Sequence, residues 1–169
     1  SDIIYRKLAG ERDYYGFLSA DRIMADYTID HRSLPEDLET WNEVSARPGV
    51  KRARELFYIG NKYFARREWN SVVSKLSKYE LQVAAMISSN WGWHDRTILT
   101  LGKAQSYDDL ILRFPVVFQE QMTKYSEMRG LDLGWIYALT RAESAFMSDA
   151  RSPSGALGLM QVMPATGRE

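Results

Sequence analysis

The sequence has 169 residues, of which 45% are hydrophobic and 26% charged, a balance typical of a compact folded protein rather than a disordered chain. Its 22 basic and 22 acidic side chains cancel, which excludes a long-range positive field that would collect nucleic acid or anionic lipid. With no cysteine and only His31 and His94 as nitrogen ligands, no metal or other cofactor is expected, and no apolar run approaches the roughly 20 residues of a membrane span.

Helix start and stop signals recur along the whole chain, whereas alternating strand patterns with tight-turn pairs are missing. The sequence therefore predicts an all-α protein. The predicted helices span residues 2–9, 12–26, 35–45, 49–59, 62–75, 78–90, 93–104, 107–112, 115–128 and 133–147. Capping-box spacing predicts helix starts at three serines: Ser33, Ser77 and, more weakly, Ser106.

Residues 49–104 have the pattern of two successive helical hairpins, with inner turns at Gly60 and at Gly92. Trp69 and Trp93 occupy comparable places in the second helix of each hairpin, which is a weak indication of an internal repeat. The same spacing is equally expected of aromatic residues that only fill a core, and both interpretations stay open. A stack of two such units leaves apolar end faces, so neighbouring structure is expected to cover them.

The pattern changes at Phe114 and Pro115, because proline restricts the residue before it away from helical geometry. We place a domain boundary near this point. The helix predicted from residue 133 has Asp132 as its N-cap. Beyond Met147 follows a loop of small residues.

One carboxylate lies among apolar side chains in the last predicted helix. Four residues follow one another at steps of three, four and three: Ile136, Leu139, Glu143 and Phe146. A buried carboxylate without a partner is costly and normally protonates or finds donors, so Glu143 is a candidate acid. Two other interpretations stay open, an ion pair with Arg141 or Arg151 and a position at the edge of the apolar face that reaches water.

The loop after this helix would bring backbone amides, the amide of Gln161 and the thioethers of Met160 and Met163 towards Glu143. Such a surface suits a sugar, which presents hydroxyl and acetamido groups at its edges and apolar C–H faces. Taken singly, each of these residues is ordinary in a core, a turn or a surface. Their combination and order make the segment a candidate carbohydrate site.

The segments 141–146 and 152–166, with Glu143-Ser144 and Gly158-Leu159-Met160-Gln161 at their centres, closely resemble the motifs of soluble lytic transglycosylases. Similarity extends upstream to four short patterns: Tyr14-Tyr15-Gly16, Arg52-x-Arg54-Glu55-Leu56, Arg67-x-Trp69 and Phe114-Pro115. The resemblance implies a solenoid-like fold of paired helices followed by part of a lysozyme-like catalytic domain. It assigns residues 1–30 to the end of a superhelical domain, 31–106 to a helical linker domain and 107–169 to the opening of the catalytic domain.

The resemblance implies that Glu143 is the single acid and base that cleaves peptidoglycan between N-acetylmuramic acid and N-acetylglucosamine, with a 1,6-anhydro product and no second carboxylate. An apolar wall around Glu143 would favour the protonated acid. Ser152, Gln161 and Met163 match positions that line the sugar groove, while Ser144 and Gly158 are expected to support the site. Asp132 and Asp149 are expected to be structural.

Further expectations follow from the same resemblance. The partner is the peptidoglycan glycan strand, the location is the periplasm, and no residue pattern points to a particular cell-wall synthesis protein. The family's catalytic domain continues beyond the equivalent of Glu169, so we expect an open Glu143 face and little or no activity in this chain alone. A helical scaffold that binds protein, or a lysozyme-like hydrolase that uses water, are the alternative functions.

Overall fold

A computed structural model of the protein describes residues 2–168 and is all-α over that range. Ten α-helices and one short 3₁₀ helix, Thr166–Arg168, follow one another along the described chain. The α-helices are α1 (Asp2–Leu8), α2 (Tyr14–Ile23), α3 (Leu38–Ala46), α4 (Pro48–Tyr58), α5 (Lys62–Val73), α6 (Lys78–Asn90), α7 (His94–Lys103), α8 (Leu110–Arg113), α9 (Gln119–Arg129) and α10 (Leu133–Ser144). The predicted fold class is confirmed, and each predicted helix corresponds to one of these ten.

Contacts along the chain divide it into two compact units, one up to Ser33 and one from Leu34 onward. In the first unit, α1 and α2 pack against each other. The Asp13 carboxylate caps α2 by accepting a hydrogen bond of 2.7 Å from the amide of Gly16. The first unit is therefore a helical hairpin with its own local contacts.

The second unit contains two helical hairpins, α4 with α5 and α6 with α7, as the sequence predicts. Their inner turns pass through Gly60 and Gly92, which have positive φ angles of 80° and 75°. Glycine adopts this left-handed backbone without steric cost, so it allows each chain to reverse within a few residues.

Aromatic rings join the two hairpins into one core. Trp93 stacks on Phe57 with 4.8 Å between ring centroids, and it lies 5.8 Å from Trp69. The indole N–H of Trp69 donates to the hydroxyl of Thr100 at 3.1 Å inside this core. Trp69 lies inside α5, whereas Trp93 is the N-cap residue that precedes α7. The expectation that the two occupy comparable places in the second helix of each hairpin is therefore wrong, and the packing favours a shared aromatic core.

Two of the predicted helix starts are wrong. Ser33 does not cap α3, since the carboxylate of Asp37 does so by accepting from the amide of Thr40. Ser106 does not cap α8, because Asp109 itself accepts from the amide of Leu112 at 3.1 Å. A carboxylate directly before the helix competes successfully with a hydroxyl three or four residues earlier.

Other helix signals are confirmed. Ser77 and Glu80 form a complete capping box at the start of α6, with bonds of 2.8 and 3.3 Å. Asp132 caps α10 by accepting from the amide of Trp135 at 2.8 Å. Within residues 2–168, no helix is both long enough and apolar enough to cross a bilayer.

The bond between Trp69 and Thr100 gives a test of the aromatic core. Replacing Thr100 with Val keeps the shape and leaves the buried indole N–H without an acceptor, so it should lower the free energy of unfolding by about 1–3 kcal/mol. In a Trp69→Phe background the same replacement should cost much less, because no donor is left unpaired. Urea unfolding of the four proteins measures both costs. Equal costs in the two backgrounds would contradict a role for this bond.

Candidate active site

Helix α10 presents Glu143 one residue before its end. Three buried side chains at intervals of four form its inner row: Ile136, Thr140 and Ser144. The helix stops because Ala145 and Phe146 adopt left-handed backbone, with φ angles of 51° and 66°. Such conformations cost non-glycine residues about 1–3 kcal/mol each and concentrate at functional sites.

The early end of α10 overturns the expected apolar surroundings of Glu143. Phe146 is buried, but it lies beyond the helix and therefore does not extend the face of Ile136 and Leu139. The Glu143 side chain is exposed at the edge of the inner row. The exposure of Glu143 confirms the open face expected of this chain alone and the interpretation of a position at the edge that reaches water. The apolar wall that was to include Phe146 is wrong, because α10 ends at Ser144 and not at residue 147.

The ion pair considered from the sequence is also not formed. The guanidinium of Arg141 donates to the carbonyl of Arg113 at 2.8 Å and lies 4.3 Å from the ring centre of Phe114. Among residues 2–168, Glu143 has no ion pair with any basic side chain within 4.0 Å. Its carboxylate therefore remains available to a group that approaches from outside.

Ser144 connects the end of α10 to the loop that follows. Its hydroxyl lies 2.8 Å from the carbonyl oxygen of Leu159 and 3.2 Å from that of Thr140. Leu159 belongs to the Gly-Leu-Met-Gln segment, and Ser144 directly follows Glu143. The contact therefore holds this segment against the end of α10 that bears Glu143. A hydroxyl with two carbonyl acceptors serves here as a clamp between two backbone segments.

The Gly-Leu-Met-Gln segment is a tight turn between two residues that pair with each other. Leu157 and Val162 exchange backbone hydrogen bonds of 3.0 and 3.1 Å. Gly158 has a φ of 73° and donates to the carbonyl of Ala150 at 2.9 Å. Gln161 also has a positive φ, 49°, and its side-chain amide donates to the carbonyl of Gly158 at 2.8 Å. The turn is thus stabilised from within, and the amide of Gln161 takes part in it.

The remaining predicted site residues lie on either side of this turn. Ser152 is partly buried, and its hydroxyl accepts from the amide of Ala156 at 3.0 Å. Met163 has 44% of its surface exposed. The structure therefore brings Ser144, Gly158 and Gln161 together, whereas within the described chain no hydrogen bond joins Glu143 to Ser152 or Gln161.

A group of charged residues fixes the chain just after α10. The guanidinium of Arg66, on α5, donates two hydrogen bonds to Asp149, at 2.5 and 2.9 Å, and its Nε lies 3.7 Å from Asp95. The ammonium of Lys62 lies 3.4 Å from the hydroxyl of Ser148. The loop that leaves the Glu143 helix is therefore held on α5.

This ion pair shifts the titration of both partners. The hydrogen bonds from Arg66 hold the pKa of Asp149 below its usual value, against the opposing effect of burial. The hydrogen bond to Asp149 likewise raises the pKa of Arg66. Sequence reasoning identified Asp149 only as structural and missed Arg66 and Lys62, because a contact across 83 positions leaves no local signal.

A cleft of about 370 Å³ lies beside the ion pair, between α5, the start of α7 and the loop after α10. Phe57, Trp93 and Phe146 form apolar parts of its lining, and Arg66 and Asp149 form part of its charged rim. Burial lowers the pKa of His94 at this cleft, which favours the neutral imidazole. Within residues 2–168, no three His, Asp or Glu side chains are grouped closely enough to hold a metal ion.

Two family models match the chain. The Soluble lytic murein transglycosylase L domain matches residues 43–110, and the Transglycosylase SLT domain matches residues 120–169. The soluble lytic murein transglycosylase of Salmonella typhimurium is 31% identical over 163 residues, which make up 96% of this chain and 25% of that protein. The protein of the same name from Escherichia coli K12 is 30% identical over the same shares.

Solved structures give the same picture. An inactive mutant of the lytic transglycosylase Slt from Pseudomonas aeruginosa superposes with a TM-score of 0.94 and 41% identity, over 99% of this chain and 27% of that chain. The 70-kDa soluble lytic transglycosylase from Escherichia coli gives a TM-score of 0.90 and 29% identity, over the same shares. The chain therefore spans about a quarter of the length of these relatives.

The pair of Arg66 and Asp149 predicts a pH-dependent contribution to stability. Replacing Asp149 with Asn should lower the free energy of unfolding at pH 7 by about 1 kcal/mol or less, since the carboxylate is partly solvated. Because folding lowers the pKa of Asp149, its contribution is present above the unfolded value near 3.9 and is lost as the pH falls below it.

Urea unfolding of both proteins between pH 7 and pH 2.5 measures this difference. Glu127→Gln, which makes the same chemical change at an exposed position of α9, serves as the control and should leave stability unchanged. If the loss of unfolding free energy caused by Asp149→Asn became larger as the pH falls, the result would contradict the stabilising ion pair between Arg66 and Asp149.

Proposed function

Because the chain belongs to the soluble lytic murein transglycosylase family, we propose that the protein containing it cleaves the β-1,4 bond between N-acetylmuramic acid and N-acetylglucosamine in peptidoglycan. The product carries a 1,6-anhydro-N-acetylmuramic acid end. Glu143 acts first as acid and then as base. One observation carries the proposal: the Ser144 contact with Leu159, at 2.8 Å, holds the helix end that bears Glu143 against the Gly-Leu-Met-Gln turn.

The proposed reaction needs one carboxyl group. The protonated Glu143 donates to the glycosidic oxygen as the bond from that oxygen to C1 of the muramic acid breaks. The carboxylate then takes the proton from the 6-hydroxyl of the same sugar, whose oxygen bonds to C1 and closes the anhydro ring. No water is consumed, and no second carboxylate is required, in contrast to ordinary retaining and inverting glycosidases.

Roles for the neighbouring residues belong to the same proposal. Met163 offers an exposed, polarizable thioether to a sugar face, and the side-chain oxygen of Gln161 accepts from a hydroxyl or acetamido group while its amide holds the turn. Ser152 lies at the far side of the turn as a further contact. Ser144 and Gly158 position the two backbone segments and do not contact the reacting atoms.

The proposed domain arrangement assigns residues 1–30 to the end of a superhelical domain, 31–106 to a linker domain and 107–169 to the opening of a catalytic domain. Two observations support it. The division between the two compact units falls between Ser33 and Leu34. The match to the L domain ends at residue 110, and the match to the SLT domain begins at residue 120. The proposed partner is the glycan strand of peptidoglycan, and the proposed location is the periplasm, where that substrate lies.

Replacing Glu143 with Gln in the full-length protein should reduce release of anhydro-muropeptides from murein by about 10²–10⁴-fold, because the amide keeps the shape and cannot donate the proton. Glu127→Gln is the matched control and should keep full activity. Mass spectrometry of the products identifies the reaction.

Each alternative function gives a different result in this experiment. Products heavier by the mass of water would indicate a hydrolase. Unchanged activity of the Glu143→Gln protein would contradict the role of Glu143. Absence of a sugar product from either protein, with binding of a protein partner kept in Glu143→Gln, would indicate a scaffold.

The 169-residue chain alone should release anhydro-muropeptides more than about 100-fold more slowly than the full-length protein, because an exposed Glu143 neither excludes water nor orients the sugar. Both proteins are assayed at equal molar concentration on the same murein preparation. Comparable rates would show that residues of this chain complete the catalytic site by themselves.

A further inference from the structure

A second concave surface lies mostly within the segment matched by the L domain, among residues remote in sequence from Glu143. It runs between α3, α4 and α6 and has a cavity volume of about 740 Å³. We call it the Trp41 groove, and its aromatic members are Trp41, Tyr58 and Trp91. A cleft of this size is in the range of ligand sites in proteins.

The floor of the Trp41 groove is rigid. Val50 and Ile87 lie beneath it and are each only 1% exposed. Trp41 and Trp91 are partly buried and pack on the same core, and the ring of Trp91 meets Trp69 edge to face at 5.5 Å. The two indoles are therefore held in place while part of each ring faces the groove.

Tyr58 forms the outer aromatic wall. Its side chain is 57% exposed, and the guanidinium of Arg54 lies 5.6 Å from its ring centre. Lys51, Arg54 and Tyr58 follow one another at steps of three and four on α4, so they share one face. The helix rises about 10 Å from Lys51 to Tyr58, which makes the groove elongated.

Three polar side chains of the groove are open to an external ligand. Asn42, Asn90 and Lys51 are exposed, and within residues 2–168 none of their side chains has a hydrogen bond or ion pair. Lys51 and Arg54 are opposed by one acidic lining residue, Glu55, so the groove carries a net positive charge. Amide donors and acceptors beside aromatic faces are suited to hydroxyl and acetamido groups.

A second cleft, of about 460 Å³, shares Trp41 and Asn90 with the groove and extends towards Leu112. The two clefts together form an extended surface with Trp41 at its centre. An elongated polymer suits such a surface better than a compact metabolite does. The exposed large side chains of the Trp41 groove itself are aromatic and polar, whereas Leu38 is exposed in the second cleft. The lining of the groove therefore favours a glycan over an amphipathic protein helix, whose docking needs a broad apolar face.

We propose that the Trp41 groove is an accessory site for a peptidoglycan glycan strand. Sugar faces stack on Trp41, Tyr58 and Trp91, and Asn42 and Asn90 hydrogen-bond acetamido and hydroxyl groups. Lys51 and Arg54 pair with the lactyl carboxylates of muramic acid residues that carry no peptide stem, because a stem would convert each of these carboxylates into an amide. The identity of the polymer rests on the proposed function, whereas the place and the chemistry of the groove rest on its geometry. The groove performs no catalytic step and holds the strand away from Glu143.

The test uses the 169-residue chain labelled with ¹⁵N and two soluble probes. One is the tetramer of N-acetylglucosamine, which has acetamido groups and no carboxylate. The other is a tetrasaccharide of alternating N-acetylglucosamine and N-acetylmuramic acid, which adds carboxylates. Both should shift the indole N–H signals of Trp41 and Trp91, and the charged probe should bind more tightly because of Lys51 and Arg54.

Matched variants locate the binding. Tyr58→Ser should weaken binding of both probes by about threefold to tenfold, since an aromatic contact contributes about 0.5–1.5 kcal/mol. Tyr63→Ser is the control, because Tyr63 is 65% exposed on α5 and has Arg67 5.9 Å from its ring centre, but lies outside the groove. Lys51→Gln should weaken binding of the charged probe only. Asn90→Ala tests the hydrogen bonds of the groove in a second variant, one that leaves the aromatic rings intact.

Several outcomes would overturn the proposal. The probes could leave the signals of Trp41 and Trp91 unshifted, or shift only residues 152–163. Tyr58→Ser and Tyr63→Ser could weaken probe binding equally. The Trp41 signal could also shift with protein concentration when no sugar is present. Glu143→Gln, which should reduce murein cleavage, should leave the probe-induced shifts of Trp41 and Trp91 unchanged, because Glu143 lies outside the groove. The two proposals can therefore fail separately. Groove binding without murein cleavage by the full-length protein would contradict only the catalytic function, and cleavage without groove binding would contradict only the accessory site.

Discussion

The left-handed backbone at Ala145 and Phe146 is the constraint on which the candidate site depends. It ends α10 directly after Glu143 and Ser144, so the chain turns sharply instead of continuing as a helix. Phe146 enters the interior, Ser144 reaches the carbonyl of Leu159, and the chain arrives at Asp149 within reach of Arg66. Two strained residues thereby determine the positions of Glu143, the turn beside it and the contact with α5.

The contact between Arg66 and Asp149 gives the helical hairpins a part in the geometry of the site. Arg66 lies in the segment matched by the L domain, and Asp149 lies in the segment matched by the SLT domain. A guanidinium that donates two hydrogen bonds to one carboxylate fixes an angle as well as a distance. The orientation of the loop after α10 is therefore set by α5. The segment matched by the L domain thus contributes directly to the geometry of the candidate site.

The sequence predicts the helices well because their signals are local. Asp132 and the pair of Ser77 and Glu80 cap helices where expected, since each cap involves residues only three positions apart. The end of α10 at Ser144 could not be predicted, because periodicity does not show that Ala145 adopts a left-handed conformation. The partner of Asp149 could not be predicted either, since only the packing of α5 brings Arg66 to it.

The exposed thioethers near the turn make this surface sensitive to oxidants. Met160 and Met163 are 37% and 44% exposed, so hypochlorite or peroxide would reach their sulfur atoms. Conversion to the sulfoxide replaces a soft, apolar surface with a strong dipole and a new stereocentre. Partial oxidation by these reagents would therefore make the surface beside the turn a chemically mixed population, and treatment with methionine sulfoxide reductases would restore a uniform one.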